Sequence, residues 1–424
     1  MINHVGRRAI GKWTVLMCLL LVLTVSSSVV AAEKITFMGV FVNWGPELEQ
    51  ALANFTAKTG IEVELLQGTN WPDMMQKVKT MAAGGIPPDV VYGDNLRIME
   101  LAELGLLAPL EQVAADNGVN LTVYPQVVLD GLRIGGRLYS LPTAVSIYAS
   151  FYNVDLFDKA GVNPLPTNWA SNSLNWDEWV SLAKKLTVDV NGDGVTDQYG
   201  LGGFGHQGGF NMIGMWNATD VTPDRTKYLG TDPSVIRALE FTTKLWTEHG
   251  VVGGAFYSGT AAIFPAQPVQ LNNLLTRAKA GDLFNWSLGI LPKGDVRAAQ
   301  TGFHSLGLSV DSKNPSAAFE LIRYLAYDRE GAILFTRAEN RVPVLPETGR
   351  DYIQRWNAEF PSGNTQVLVD AIPYLWDWRV ISGRGGSEIL NLMTEAFNYI
   401  RSGEKSVRDA IETIAPKMQA ALEQ

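Results

Sequence analysis

The segment KITFMGVFVNWGPELEQALANFTAKTGIEVEL, residues 34–65, contains the pattern that decides the fold. Apolar Ile35 and Phe37 alternate with polar residues, which predicts a strand. Leu48 and Phe55, with apolar residues between them, share one face of a helix that ends at Gly60. A second alternation follows at once, so the segment predicts a strand, a helix and another strand.

The same succession of elements continues to residue 92. Residues 61–65 predict a second strand, Pro72 opens a second amphipathic helix, and residues 90–92 form a short apolar strand. This order is typical of an α/β fold with a largely parallel sheet. Ligands of such sheets bind beyond the carboxyl ends of the strands, which here are segments 43–44, 68–71 and 93–95.

The rest of the chain is less regular but contains further amphipathic helices. They are predicted at residues 176–186, 232–249, 315–327, 387–401 and 406–422, the last with Ser406 and Asp409 placed as in a capping box. No repeat, charge block or low-complexity linker interrupts the chain. We therefore expect two domains joined by short crossings rather than by a flexible tether.

The N-terminus has the three parts of a secretory signal. Arg7, Arg8 and Lys12 precede an apolar run over residues 13–25, and small residues ending at Ala32 follow. The run is shorter than the roughly 20 residues that span a bilayer, so residues 1–32 are predicted to be a cleaved signal peptide. Cys18, the single cysteine, lies within it. The mature chain is expected to be secreted, soluble and periplasmic, stabilised by core burial without disulfides.

The charge of the chain argues against nucleic acid as a partner. The formal net charge is -9, and the predicted signal carries three basic residues and no acidic ones, so the mature chain is more acidic still. An acidic protein repels phosphate backbones at long range. A monomer is expected.

Catalytic motifs are weak, and an enzyme is not predicted. Three histidines follow the signal, His206, His249 and His304, without a metal-ligand spacing such as HExxH. Residues 203–208 match GxGxxG, but no βαβ unit surrounds them, and a flexible cleft wall is the preferred interpretation. Paired carboxylates of a secreted carbohydrate-active enzyme remain an alternative. No cofactor is required by this interpretation.

One segment suggests a structural calcium ion. Asp189, Asn191, Asp193, Val195 and Asp197 occupy positions one, three, five, seven and nine of an EF-hand-like loop, with glycine at position six. Glycine also stands at position twelve, where the bidentate glutamate is needed. The alternative is a turn built from Asn, Asp and Gly.

Six local patterns, in order along the chain, resemble the family 1 extracellular solute-binding proteins, which include the maltose-binding protein. They are GGIPPDVV (84–91); LPT (141–143) leading to FYNVDLFDKAG (151–161); residues 166–179; SGTAAI (258–263); SVDSKNP (309–315) before AAF (317–319); and RVPV (341–344). Two features depart from the family pattern. Residues 168–175 lengthen the proline-threonine-tryptophan stretch that is usual in the family, and Ala262 stands where the family commonly has methionine.

The resemblance implies a two-lobed α/β periplasmic-binding-protein fold, type II-like, with a ligand cleft between lobes joined by a multi-crossing hinge. The N-lobe would combine residues 33–143 and 301–346, and the C-lobe residues 144–299 and 347–424. The implied function is capture of a mono- or oligosaccharide by lobe closure and delivery to the permease subunits of an ABC importer. A sensor role uses the same fold.

The resemblance also points to the site, because relatives place a ligand-stacking aromatic shortly after the proline that corresponds to Pro373. The residues implied there are Trp376, Asp377 and Trp378. Strand ends of the N-lobe add Asn43, Trp44, Trp71, Asp94 and Asn95, and further candidates are Tyr148, Trp216 and Gln267. The alternative ligand, a polyol phosphate or an acidic sugar, needs a cleft cation, for which Arg97, Arg341 and Arg379 are candidates.

Overall fold

A computed structural model describes residues 33–41, 44–203 and 209–423. Its helices and strands confirm the strand and helix order predicted for residues 34–92. In chain order they are β1 (Lys34–Gly39), α1 (Glu47–Thr59), β2 (Glu62–Gln67), α2 (Trp71–Ala83), β3 (Val90–Asp94), α3 (Asn95–Glu103), α4 (Glu111–Asp116), α5 (Gln126–Gly131), β4 (Arg133–Ile134), β5 (Arg137–Leu138), β6 (Ser140–Ile147), β7 (Ala149–Asn153), α6 (Val154–Ala160), α7 (Trp176–Lys185), β8 (Tyr199–Leu201), α8 (Pro233–Thr247), β9 (Ala261–Ala266), α9 (Gln270–Ala280), β10 (Trp286–Gly289), β11 (Ala299–Leu308), α10 (Pro315–Ala326), α11 (Arg329–Glu339), β12 (Val342–Pro343), α12 (Pro346–Glu359), α13 (Gln366–Asp370), β13 (Leu375–Asp377), α14 (Gly386–Ser402) and α15 (Val407–Leu422).

The first sheet has the strand order β12-β6-β11-β3-β1-β2. β1 pairs in parallel with β2 and β3, whereas β11 is antiparallel to both β3 and β6. β13 extends this sheet by pairing in parallel with the first residues of β11. Phe303 of β11 is fully buried against Gly131, where an added Cβ would lie 1.9 Å from its ring.

The second sheet has the order β10-β7-β9-β8, with β7 antiparallel to β10 and β9. The chain passes from the first sheet to the second at Tyr148 and returns between β10 and β11. It leaves the first sheet again after β12 and contributes β13 later. Two crossings therefore connect the strands of the two sheets, and between β12 and β13 the chain forms helices α12 and α13.

Sheet membership differs from the predicted lobe boundaries at two places. β6 continues to Ile147 in the first sheet, beyond residue 143, because it pairs with β11 as far as Thr301. β13, predicted within the C-lobe, is hydrogen-bonded to β11. The lobe boundaries themselves stay a prediction, since strand pairing alone does not assign the helices.

Local sequence signals account for several of the helix ends. Ser406 caps α15 by accepting a hydrogen bond from the Asp409 amide at 3.1 Å, and the Asn175 and Glu178 pair forms a full capping box on α7. Gly60 adopts φ +77° at the end of α1, where its amide donates to the Thr56 carbonyl. None of the helices in the described part of the chain combines the length and the apolar character of a membrane span. The predicted signal peptide lies outside them.

Candidate functional site

A narrow cavity lies where the chain crosses between the two sheets, and we call it the Trp376 cavity. Tyr148 belongs to the first crossing, Ala298 belongs to the second, and Gln300 lies at the start of β11. The full lining is Tyr148, Asn211, Met212, Met215, Pro265, Leu291, Ala298, Gln300 and Trp376. The cavity therefore brings together two of the predicted ligand residues, Tyr148 and Trp376.

Strand pairing and a glycine position the Trp376 ring. Trp376 is directly opposite Gln300 in the β11 and β13 pair, so both side chains project from the same face of the sheet. A Cβ on Gly214, in the 3-10 helix Phe210–Trp216, would lie 2.3 Å from the Trp376 ring. Only glycine lets the indole lie this close to the backbone.

Two buried amide side chains give the cavity its polar character. Asn211 is 4% exposed and Gln300 is 9% exposed, and their carbonyl oxygens, Oδ1 and Oε1, have no hydrogen-bond partner. A buried acceptor without a partner costs about 1–3 kcal/mol, so these atoms are suited to hydroxyl donors of a ligand. Burial raises the pKa of Tyr148, partly offset by Asn211. Sequence analysis missed Asn211 and Gln300 because no motif marks them.

Trp44 and Trp71 lie in a different cluster, around the buried ring of Tyr92. The Trp44 ring centroid is 5.1 Å from that of Tyr92, in an edge-to-face arrangement, and the Trp71 centroid is 6.1 Å away. Trp44 also packs on Phe41 and Phe335. Both tryptophans are partly exposed, but neither lines the Trp376 cavity.

Asp94 and Asn95, at the end of β3, both have protein partners. Asp94 caps α3 and forms an ion pair of 2.7 Å with Arg97. Asn95 is 4% exposed; its Nδ2 donates to Ser382 Oγ at 2.7 Å, and its Oδ1 accepts from the Phe303 amide at 3.3 Å. The geometry therefore supports a structural role for Asn95. Asn43 lies outside the described residues.

The structure does not support ligand contacts by Trp216 and Trp378, because packing buries both rings. Trp216 is 6% exposed and packs on Trp176 and Phe241. Trp378 is 3% exposed, and its Nε1 donates to Asp220 Oδ2 at 3.1 Å.

Asp377 and Gln267 also lie apart from the cavity lining. Asp377 follows Trp376 in the strand and so projects from the opposite face; its Oδ2 accepts from Arg379 Nε at 2.9 Å, and burial raises its pKa despite that arginine. Gln267 is half-buried, two residues beyond Pro265, which does line the cavity.

The predicted calcium loop is folded through its own backbone. Asp189 accepts from the amides of Gly192 and Gly194 at 2.7 and 2.8 Å, and these amides lower the pKa of its carboxyl. The other side-chain oxygens of the loop also accept hydrogen bonds from backbone amides: Asn191 from the Asp193 amide, Asp193 from the Val195 amide and Asp197 from the Val190 amide. Among the described residues, no three His, Cys, Asp or Glu side chains are placed to hold one metal ion. This geometry fits the turn alternative, and the calcium site stays a prediction.

The calcium hypothesis predicts a higher melting temperature in excess calcium than in chelator, because a ligand that binds only the folded state stabilises it. Asp193→Ala, which removes one of the proposed oxygen ligands, should abolish the difference. Differential scanning calorimetry of both proteins is the measurement. Equal melting temperatures of the unmodified protein in the two conditions would leave the turn as the whole explanation.

Comparisons with known proteins agree with this architecture. A family model described as bacterial extracellular solute-binding protein matches residues 40–331. A Brucella abortus protein named only as a binding protein is 25% identical over 440 residues, covering 97% of this chain and 99% of its own. An ABC substrate-binding protein from Listeria monocytogenes, solved in complex with cycloalternan, superposes with a TM-score of 0.74 at 19% identity, covering 92% of this chain and 99% of that one. The UgpB protein of Mycobacterium tuberculosis, solved in complex with glycerophosphocholine, gives a TM-score of 0.74 at 19% identity, with 92% and 98% covered.

The chain belongs to the family of bacterial extracellular solute-binding proteins. It has the two-lobed α/β fold of periplasmic solute-binding proteins, which confirms the predicted fold class. It is an extracellular solute-binding protein of the ABC transporter type.

Proposed function

We propose that the protein captures a mono- or oligosaccharide in the Trp376 cavity by closure of its lobes and delivers it to the permease subunits of an ABC importer. The observation that supports this most directly is the cavity lining, in which one tryptophan ring lies beside two buried amides with free acceptor oxygens. Sugar rings present apolar C–H faces to an indole and hydroxyl donors to amide oxygens.

The position of the cavity supports capture by closure. Its walls come from two chain crossings, from β13 and from the 3-10 helix Phe210–Trp216, so a bound solute would contact several elements at once. Hinge closure of periplasmic binding proteins is a general example of such a motion. A solute that touches both lobes only in the closed state shifts the population by its differential affinity.

The competing proposal, a carbohydrate-active enzyme, finds less support in the cavity. Among the described residues, no carboxylate lines it, whereas glycoside hydrolysis uses two. The family and the solved neighbours are binding proteins.

A thermal-shift screen tests the proposed function. A panel of mono- and oligosaccharides is added to the mature protein, and a ligand at a hundred times its Kd should stabilise the folded state by about 2.7 kcal/mol. Amino acids and peptides of similar size serve as controls. A screen in which these controls stabilise the protein and no carbohydrate does would refute carbohydrate capture.

Lobe closure predicts compaction in solution. Small-angle scattering with a saturating amount of the sugar found in the screen should give a smaller radius of gyration than scattering without it, because the hinge closes on the ligand. A sugar that does not bind provides the control for contrast effects. An unchanged radius at saturation would indicate a rigid pocket.

We propose that the mature protein begins at Glu33 and resides in the periplasm. The charged, apolar and small-residue parts of segment 1–32 support this. N-terminal sequencing of exported protein is the measurement, and a membrane-retained chain that keeps residues 1–32 would contradict it.

A further inference from the structure

Five polar side chains form a hydrogen-bonded chain beside the Trp376 cavity whose two ends, Arg341 and Glu339, lie close together, and we call it the Arg341 ring. Its members are Tyr92, Ser146, His304, Glu339 and Arg341. Ser146 is opposite Gly302, and His304 follows two residues later in β11, so both project from the face that carries Gln300. The step from Gln300 to Gly302 is about 7 Å along the strand. The ring therefore adjoins the cavity on the same face of the first sheet.

The hydrogen bonds around the ring run in one direction. Tyr92 donates its hydroxyl proton to Glu339 Oε1 at 2.7 Å, so it must accept from His304 Nδ1 at 3.1 Å. His304 Nε2 then accepts from Ser146 Oγ at 3.0 Å, and Ser146 Oγ accepts from Arg341 Nη1 at 2.6 Å. The chain starts at a guanidinium and ends at a carboxyl, and it fixes the orientation of Arg341.

Arg341 differs from the two other candidate cations, because those are bonded to carboxylates. Arg97 lies 2.7 Å from Asp94, and Arg379 lies 2.9 Å from Asp377. The Nε of Arg341 is 3.9 Å from Glu339 Oε1, beyond hydrogen-bonding distance, and it is buried without a hydrogen-bond partner. The Arg341 side chain is 19% exposed, whereas that of Glu339 is fully buried. Arg341 therefore has donors available and an exposed part through which a ligand can reach it.

The negative charge that can balance Arg341 is that of the Glu339 carboxyl, and it depends on pH near neutrality. Burial raises the pKa of Glu339 to about 7, partly offset by Arg341, by Tyr92 and by Thr143 of β6. Burial and the charges of Arg341 and Arg97 hold the pKa of His304 well below its ordinary value, so His304 stays neutral. Asp94, opposite His304 in β3, is neutralised by Arg97. When Glu339 is protonated, the positive charge of Arg341 is uncompensated.

We propose that the Arg341 ring is a subsite for an acidic group, a carboxylate or a phosphate, on the carbohydrate captured in the Trp376 cavity. This inference rests on the proposed function and names the class of sugar. A guanidinium binds either group through charge-assisted hydrogen bonds. The neutral side chains of the ring hold the guanidinium in place without competing for its charge.

The test uses matched sugars that differ only in charge: glucose, glucuronate and glucose 6-phosphate, with galactose and galacturonate as a second set. Titration calorimetry should show at least one acidic sugar binding tenfold or more tighter than its neutral parent. Arg341→Gln should abolish this advantage, while the exposed Arg329→Gln, which also removes one positive charge, should keep it. The carboxylate and phosphate members show which acidic group is recognised.

Protonation of Glu339 gives an independent readout. The preference for glucuronate or galacturonate over its neutral parent should be larger at pH 6 than at pH 8, and Glu339→Gln should make it independent of pH. Glucose 6-phosphate is left out of this comparison because its own phosphate titrates at about pH 6. Retained binding of the neutral parent shows that each variant is folded. The inference is overturned, and carbohydrate capture stays intact, if no acidic sugar binds better than its neutral parent or if Arg341→Gln weakens the binding of both equally. Failure of every sugar to bind the unmodified protein would refute the proposed function, and this inference with it.

Discussion

Trp376→Ala is expected to weaken binding of the captured sugar by about 1–3 kcal/mol, by analogy with the cost of removing a ring from under a stacked base. This corresponds to a rise in Kd of about fivefold to about 160-fold. Trp376 lines the cavity and is partly exposed, so its loss removes ligand contact without emptying the core. Calorimetry with the sugar found in the screen is the measurement, with melting temperature as the check on folding.

Gly214→Ala provides a second variant that keeps the indole but displaces it. The added Cβ would lie 2.3 Å from the ring, so the ring must shift out of its place in the cavity. Affinity should fall here too. Trp378→Phe is the matched control, because it changes a neighbouring tryptophan that is buried away from the cavity and should spare affinity. Unaltered affinity in both Trp376→Ala and Gly214→Ala would place the site elsewhere.

Asp220→Asn is expected to remove a large pH dependence of stability. Asp220 is 2% exposed, and burial raises the pKa of its carboxyl from 3.8 to about 7, partly offset by the Trp378 indole. Between these values the unfolded chain ionises this group and the folded protein does not. The folded protein therefore loses about 4 kcal/mol of stability as the pH rises from about 4 to about 7.

The variant keeps a carbonyl acceptor for Trp378 Nε1 and cannot ionise. Urea unfolding of both proteins should show the free energy of the unmodified protein falling relative to that of Asp220→Asn across this pH range. Glu339 and His304 contribute in both proteins and cancel in the difference. Parallel pH profiles would mean that Asp220 is ionised in the folded protein near its ordinary pKa.

The first α/β unit could be predicted from the sequence because its signals are local. The alternation at Ile35 and Phe37, the apolar helix face from Leu48 to Phe55, and Gly60 each depend on near neighbours, and all three appear in the structure. The insertion of β11 between β6 and β3 could not be predicted this way. It depends on pairs such as His304 with Asp94, which are far apart in sequence.

The site was predictable only in part for the same reason. Trp376 was implied by its place after Pro373, and Tyr148 by its place near a crossing. Asn211 and Gln300 are ordinary amides until the fold buries their oxygens without partners. Trp378 was implied by the same place after Pro373, whereas in the structure its ring is buried and its Nε1 is bonded to Asp220, a residue 158 positions earlier in the chain.

The central place of β11 has a consequence for how the chain folds after export. Strand β6 pairs with two strands, β11 and β12. Both lie at least 150 residues after the start of β6 in the chain. β6 therefore has no partner strand in the first sheet until residue 299 has followed, whereas the strands of the second sheet all lie within residues 149–289. Contacts of such long sequence separation form slowly. We expect the second sheet to form before the first is complete, so that β6 stays unpaired until β11 has followed it out of the membrane.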